Sequence, residues 1–191
     1  MKTRSLLDSY LPTFEFNEVH SLIVRALPEK VFAATKSLTS AELSPLVFWM
    51  LSIRDLPARL IGKPSPQAAS DQPFLEEMYE NGFIPLAEEP GREIVFGMIG
   101  QFWQPAGADA VKLTSPQEFL AFDHPAYAKV AANLAVVAMA DGVSRLSTET
   151  RIHAPSPQTR KKFALYWRLI SLGSGFIRVL WLRAIKRKAE Q

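Results

Sequence analysis

The chain has 191 residues, 48% of them hydrophobic and 21% charged, with a net charge of +3 and no cysteine. That length suits one domain able to bury about 70% of the surface its unfolded chain exposes. The lack of cysteine excludes disulfides, thiolate metal sites and cysteine nucleophiles, and fits a reducing, cytoplasmic home.

Residues 1–16 read as an N-terminal extension. Lys2 and Arg4 precede only two adjacent leucines before Asp8, too short an apolar run for a signal peptide. Residues 17–27 are rich in aliphatic and β-branched side chains and predict a first strand. Pro28 and Glu29 then suit the first turn of a short helix to Leu38 that buries Val31 and Phe32. A second, very apolar helix is expected from Ser44 and Pro45 through Leu46–Leu51, ending near Ile53 or, kinked at Pro57, near Ile61. Residues 62–73 carry three prolines, two serines and a glycine, and read as an exposed loop or lid. Phe74–Glu80 predicts a short helix closed by Asn81-Gly82.

From Phe83 the period changes to two. Residues 83–89 and 93–103 form a hairpin about Glu89-Pro90-Gly91-Arg92, with Ile94, Phe96, Met98 and Gly100 on one face. Gly97 and Gly100 inside a strand point to a bulge or to close approach of another element. Val111–Leu113 is a candidate short strand, and Ser115 with Glu118 has the spacing of a helix-capping box. Two arguments conflict over the alanine-rich stretch 127–140, where helix propensity opposes the hairpin signal of Asp141-Gly142. The hairpin is preferred, giving a strand from about Ala131 that pairs with 143–153. There Leu146, Thr148, Thr150 and Ile152 share one face, and Arg145, Ser147, Glu149, Arg151 and His153 the other.

Residues 157–191 predict one long helix, broken or bent once at Gly173-Ser174-Gly175. Its ladder of Phe163, Trp167, Ile170, Ser174, Ile177, Trp181 and Ala184 keeps one side against one partner. Leu165, Leu169, Phe176 and Leu180 widen that stripe, so the helix is expected to be largely covered. Arg168, Arg178 and Arg183 interrupt the apolar run, which argues against a bilayer span. This segment holds nine bases against one acid, Glu190, and leaves the rest of the chain acidic. Such asymmetry suits nucleic acid or anionic lipid, or simply the helix macrodipole with apolar stems laid over the core. The whole predicts an α+β fold: a curved antiparallel sheet of five to seven strands around a long C-terminal helix, with two short helices after the first strand.

The order of elements and several phrases resemble the START-like, Bet v 1-like helix-grip superfamily, which also holds polyketide cyclases (SRPBCC proteins). The resemblance is carried by Ala26-Leu27-Pro28-Glu29-Lys30-Val31-Phe32, by the paired strands through Leu86–Glu93, by Arg145–Arg151, and by the C-terminal helix. It covers residues 17–189 and is strongest to an uncharacterised bacterial branch, through Tyr166-Trp167-Arg168-Leu169-Ile170, Gly173-Ser174-Gly175 and Leu182-Arg183-Ala184-Ile185. It implies a cavity between sheet and last helix and an apolar or amphipathic ligand, with catalysis only in some branches.

The cavity candidates are Phe96, Met98, Phe102, Trp103, Glu149, Tyr166, Trp167, Ile170 and Phe176, each of which can equally be core. Glu149 counts only if its face looks into the cavity; otherwise Arg145, Glu149 and Arg151 make an ion-pair ladder on a solvated face. His20, His124 and His153 are scattered, so no metal spacing, cofactor motif or catalytic signature is present. Asp123-His124 reads as a turn pair. The leading expectation is a non-catalytic holder of a small apolar or amphipathic molecule. Its rivals are a cyclase, dehydratase or hydrolase using Tyr166, Glu149 or Arg92, and docking of the basic helix on a membrane surface or partner; nucleic acid is disfavoured.

Overall fold

The computed structural model describes residues 4–43, 70–104 and 110–191. The expected helix over 44–61 and most of the 62–73 loop lie outside the described residues. In chain order the elements are α1 (Leu7–Tyr10), β1 (Phe16–Val24), α2 (Pro28–Ser37), a 3₁₀ turn at Ser40–Glu42, α3 (Phe74–Glu80), β2 (Ile84–Glu89), β3 (Glu93–Gly100), α4 (Pro116–Ala121), β4 (Ala128–Ala138), β5 (Ser144–His153) and α5 (Pro157–Ala189). The five strands form one antiparallel sheet in the order β1-β5-β4-β3-β2, so the first strand pairs with the last and β1 and β2 are the edges. This is the helix-grip architecture that the resemblance implies.

The disputed stretch is a strand over Ala128–Ala138, three residues earlier in its start than expected. Asp141 (φ 59°) and Gly142 (φ 70°) take the paired left-handed conformation of a tight hairpin turn. The alanines have a steric reason as well. β4 is a central strand covered on both faces, and Ala128, Ala131 and Ala132 are buried there.

The inner face of the sheet carries the larger core. Ile94, Phe96, Ala132, Leu134, Val136 and Leu146 meet Val31 and Phe32 of α2 and Trp181, Leu182 and Ile185 of α5. Each large side chain there contributes about 1.5–3 kcal/mol by leaving water. The outer face carries a second core, where Leu7, Leu11 and Phe119 cover Leu86, Val95, Ile99 and Ala131. The N-terminal extension is therefore packed on the sheet. It is held by Glu93, whose buried carboxylate accepts from Ser5, from the Leu6 amide at 2.9 Å and from Asn133 at 2.7 Å. Gly97 answers to close approach: a Cβ there would lie 2.9 Å from the Phe119 ring and 2.9 Å from the Val130 carbonyl oxygen.

Four expectations change. Val111–Leu113 forms no strand and gives a single backbone bond, Val111 N to Ile99 O at 2.8 Å. Ser115 caps α4, but Glu118 reaches back to the Thr114 amide (2.8 Å) instead of completing the box. α5 runs unbroken through Gly173-Ser174-Gly175, where Gly175 serves a close contact with Glu18 and His20. Its expected cover is also partial: Leu165, Leu169, Leu172 and Phe176 are 73%, 83%, 86% and 42% exposed.

Candidate functional site

α5 runs beside β1 and divides its inner side into three parts. Near its start Phe163 is the hub of an aromatic cluster, with Phe16, Phe102, Trp103, Tyr166 and Trp167 at centroid distances of 5.0–6.4 Å. Near its end Trp181 packs against Phe74 (5.1 Å) and Phe96 (6.1 Å) in the main core. Between the two lies a polar stretch.

There Glu18 of β1 takes a hydrogen bond from Arg178 Nη1 at 2.8 Å and lies 2.7 Å from His20 Nε2, and the same Arg178 nitrogen donates to Ser174 Oγ at 2.9 Å. Burial pulls the Arg178 guanidinium below the ordinary arginine range, and Glu18 opposes that pull. Gly175 lets the cluster form: a Cβ at this position would sit 2.2 Å from Glu18 Oε1 and 3.2 Å from His20 Nε2. On the neighbouring strand Thr148 and Thr150 are the register partners of His20 and Glu18. Both are 1% exposed, and their hydroxyls have no partner among the described residues.

An open groove of about 470 Å3 runs over this cluster, between edge strand β1 and the flank of α5. Its floor is Glu18, His20 and Gly175, and its apolar walls include Trp167, Leu172 and Phe176. An apolar cleft with a few convergent polar groups is the ordinary form of a small-molecule site.

Of the sequence candidates, Phe102, Trp103, Tyr166 and Trp167 come together around Phe163. Phe96 lies at the other end against Trp181, Met98 is half-buried on the Phe96 face, Ile170 is half-buried on α5, and Phe176 stands at the rim of the groove. Glu149 is corrected. It sits on the outer face, turned away from α5, where it accepts from Arg151 Nε at 2.7 Å. That face is not the solvated ladder expected, because α1 covers it: Arg151 is 8% exposed and also donates to Asp8 (2.7 Å) and the Leu11 carbonyl (3.2 Å). Arg92 faces the same outer side, ion-paired with Glu89, so Arg92, Glu149 and Tyr166 do not converge. Sequence reasoning missed Glu18, Arg178, Thr148 and Thr150. The available signal was the phase of β1, which puts two ionisable groups in step with Phe16, Leu22 and Val24.

A second concavity of about 280 Å3 is lined by Phe122, His124, Tyr127, Lys129 and His153. Burial lowers the Lys129 ammonium, with Asp123 opposing. His124 Nδ1 accepts from the Ala126 amide at 3.2 Å, the behaviour of a turn residue. No group of His, Asp and Glu spaced for a metal occurs among the described residues.

No protein-family model matches the chain, and neither does any curated protein. Among solved structures it is similar to a conserved protein from Geobacillus kaustophilus, with 9% identity, 91% of this chain and 95% of that one covered, and a TM-score of 0.43. It is similar also to Ara h 8.0201, with 12% identity, coverage of 91% and 97%, and a TM-score of 0.35. Norcoclaurine synthase from Thalictrum flavum, solved in complex with dopamine and hydroxybenzaldehyde, gives 11% identity, coverage of 98% and 92%, and a TM-score of 0.35.

Proposed function

We propose that the chain, acting as one cytoplasmic domain without a cofactor, holds a small apolar or amphipathic molecule in the groove between β1 and α5. The apolar body of the ligand lies on Trp167, Leu172 and Phe176, and its polar end points at the Glu18–His20–Arg178 cluster. One observation carries this reading. Glu18 and His20, two part-buried groups of opposite kind that Arg178 anchors from behind, open on a groove whose other lining is mainly apolar, which is the pairing of polar anchor and apolar wall that an amphipathic molecule fits. Because Glu18 and Arg178 cancel, a neutral hydrogen-bonding head such as a hydroxyl or carbonyl suits the site better than a bare anion. The groups a catalytic reading needs do not meet, so binding without reaction is favoured. A second partner, a membrane surface, is favoured by the bare leucines of α5.

Native mass spectrometry of protein purified without detergent, followed by titration with long-chain alcohols read by tryptophan fluorescence, tests the proposal. Ser171→Trp fills the groove without touching the main core. It should weaken alcohol binding at least tenfold, about 1.4 kcal/mol, while leaving the unfolding midpoint unchanged. Equal binding by this variant, or no binding by the wild type, contradicts the proposal.

A further inference from the structure

The outward side of α5 carries an apolar line of exposed side chains, of which Leu172 and Phe176 also edge the groove. Leu165, Leu169, Leu172 and Phe176 follow one another at steps of four, three and four, so they form one straight stripe about 17 Å long. Bases extend the same line at both ends, Lys161 before it and Arg183 and Arg187 after it, with Lys162 and Arg168 on its flanks; all five are exposed. Among the described residues Lys161, Lys162, Arg168 and Arg183 enter no ion pair, whereas the buried-side Arg178 is tied to Glu18. Leaving four large apolar side chains in water has no structural return in this fold, and leaving four cations unpaired around them sets the chemistry of what covers them.

We infer that this face docks on an anionic lipid surface, with the leucines and Phe176 entering the interface and the cations meeting phosphates. α5 is the one described helix long and apolar enough to cross a bilayer. It cannot do so in this fold, because Phe163, Trp181, Leu182 and Ile185 hold its other side in the sheet. It therefore lies in the plane. A second copy is the competing occupant, and charge opposes it: an antiparallel copy aligned on the leucines brings Arg183 within one helical turn of the other copy's Lys161, and a parallel copy sets like on like. This inference stands apart from the groove ligand, although Leu172 and Phe176 belong to both.

The test is flotation of the full chain with vesicles of phosphatidylcholine alone or with 30% phosphatidylglycerol, at low and high salt. The wild type should float with the anionic vesicles and lose that binding at least tenfold at high salt. Leu169→Glu with Leu172→Glu should abolish flotation with no change in unfolding midpoint, since both positions are exposed. Lys161→Ser with Arg168→Ser should weaken flotation and leave alcohol binding in the groove intact. Absence of flotation overturns the inference. So does sedimentation showing a dimer that the leucine variants dissolve, which would assign the face to a second copy.

Discussion

The two halves of α5 make an instructive pair. From Trp181 to Ala189 the helix is gripped: Trp181, Leu182, Ala184, Ile185 and Ala189 are buried, Lys186 reaches the Ile23 carbonyl at 2.8 Å, and Lys188 binds Glu42. From Leu165 to Phe176 the same helix touches the sheet through half-buried residues and a polar cluster, and its other side is bare. The bare stretch has seven hydrophobic residues of twelve and a single charge and the gripped one five of nine and four charges, so composition does not say which part of a helix is core. Stability therefore resides in the Trp181–Ala189 stretch and in the Phe163 cluster before Leu165, and the candidate functions in the stretch between them.

The sharpest way to break that division is to truncate one large side chain in each half. Trp181→Ala should cost about 3–5 kcal/mol in urea unfolding, and Leu172→Ala less than about 0.5 kcal/mol. Similar losses would show that the first half is also core. An intermediate effect is expected at Gly175→Ala. Helix propensity alone favours alanine by about 1 kcal/mol. Here the new Cβ displaces a Glu18 carboxylate pinned by Arg178 and His20, so a net loss of about 1–2 kcal/mol is expected. With Glu18→Ala in the background the sign should reverse; a loss of equal size in both backgrounds would remove the ion cluster as its cause.

The smallest effect lies in the gripped half. Burial tends to raise the Glu42 carboxyl, but hydrogen bonds from Lys188 and Thr39 outweigh it and hold the group below the usual carboxylate range. A depressed folded value means that the stabilisation is present above about pH 4.3 and is lost as pH falls through the folded value. The stability difference between wild type and Lys188→Met should therefore contain a salt-sensitive part, under about 1 kcal/mol for so exposed a pair, that disappears in acid. A difference independent of pH would leave only the bond from Lys188 to the Ser37 carbonyl.

Much of the fold was legible because strand phase and turn chemistry are local. Asp141-Gly142 announced its hairpin, and the alternation along β5 separated Thr148 and Thr150 from Glu149 and Arg151 correctly. Which phase meets the helix is not local, and nothing in the sequence tells that α1 returns to cover Arg151. For the same reason Glu149 was a candidate while Glu18 was not, although both are strand carboxylates paired with an arginine. The leucines of α5 misled because an apolar residue at helical spacing reads as covered, and only the packed layers show that the cover ends.

Because the chain has no cysteine, one set of single-cysteine variants addresses the division of α5 directly. Thiol labelling rates are to be compared for Leu165→Cys, Leu169→Cys and Leu172→Cys against Leu182→Cys and Ile185→Cys under native conditions. The first three should react at nearly the rate of the unfolded chain and the last two at least a hundredfold more slowly. Equal protection at all five positions would contradict a helix gripped on its inward side after Trp181 and bare on its outward side from Leu165 to Leu172.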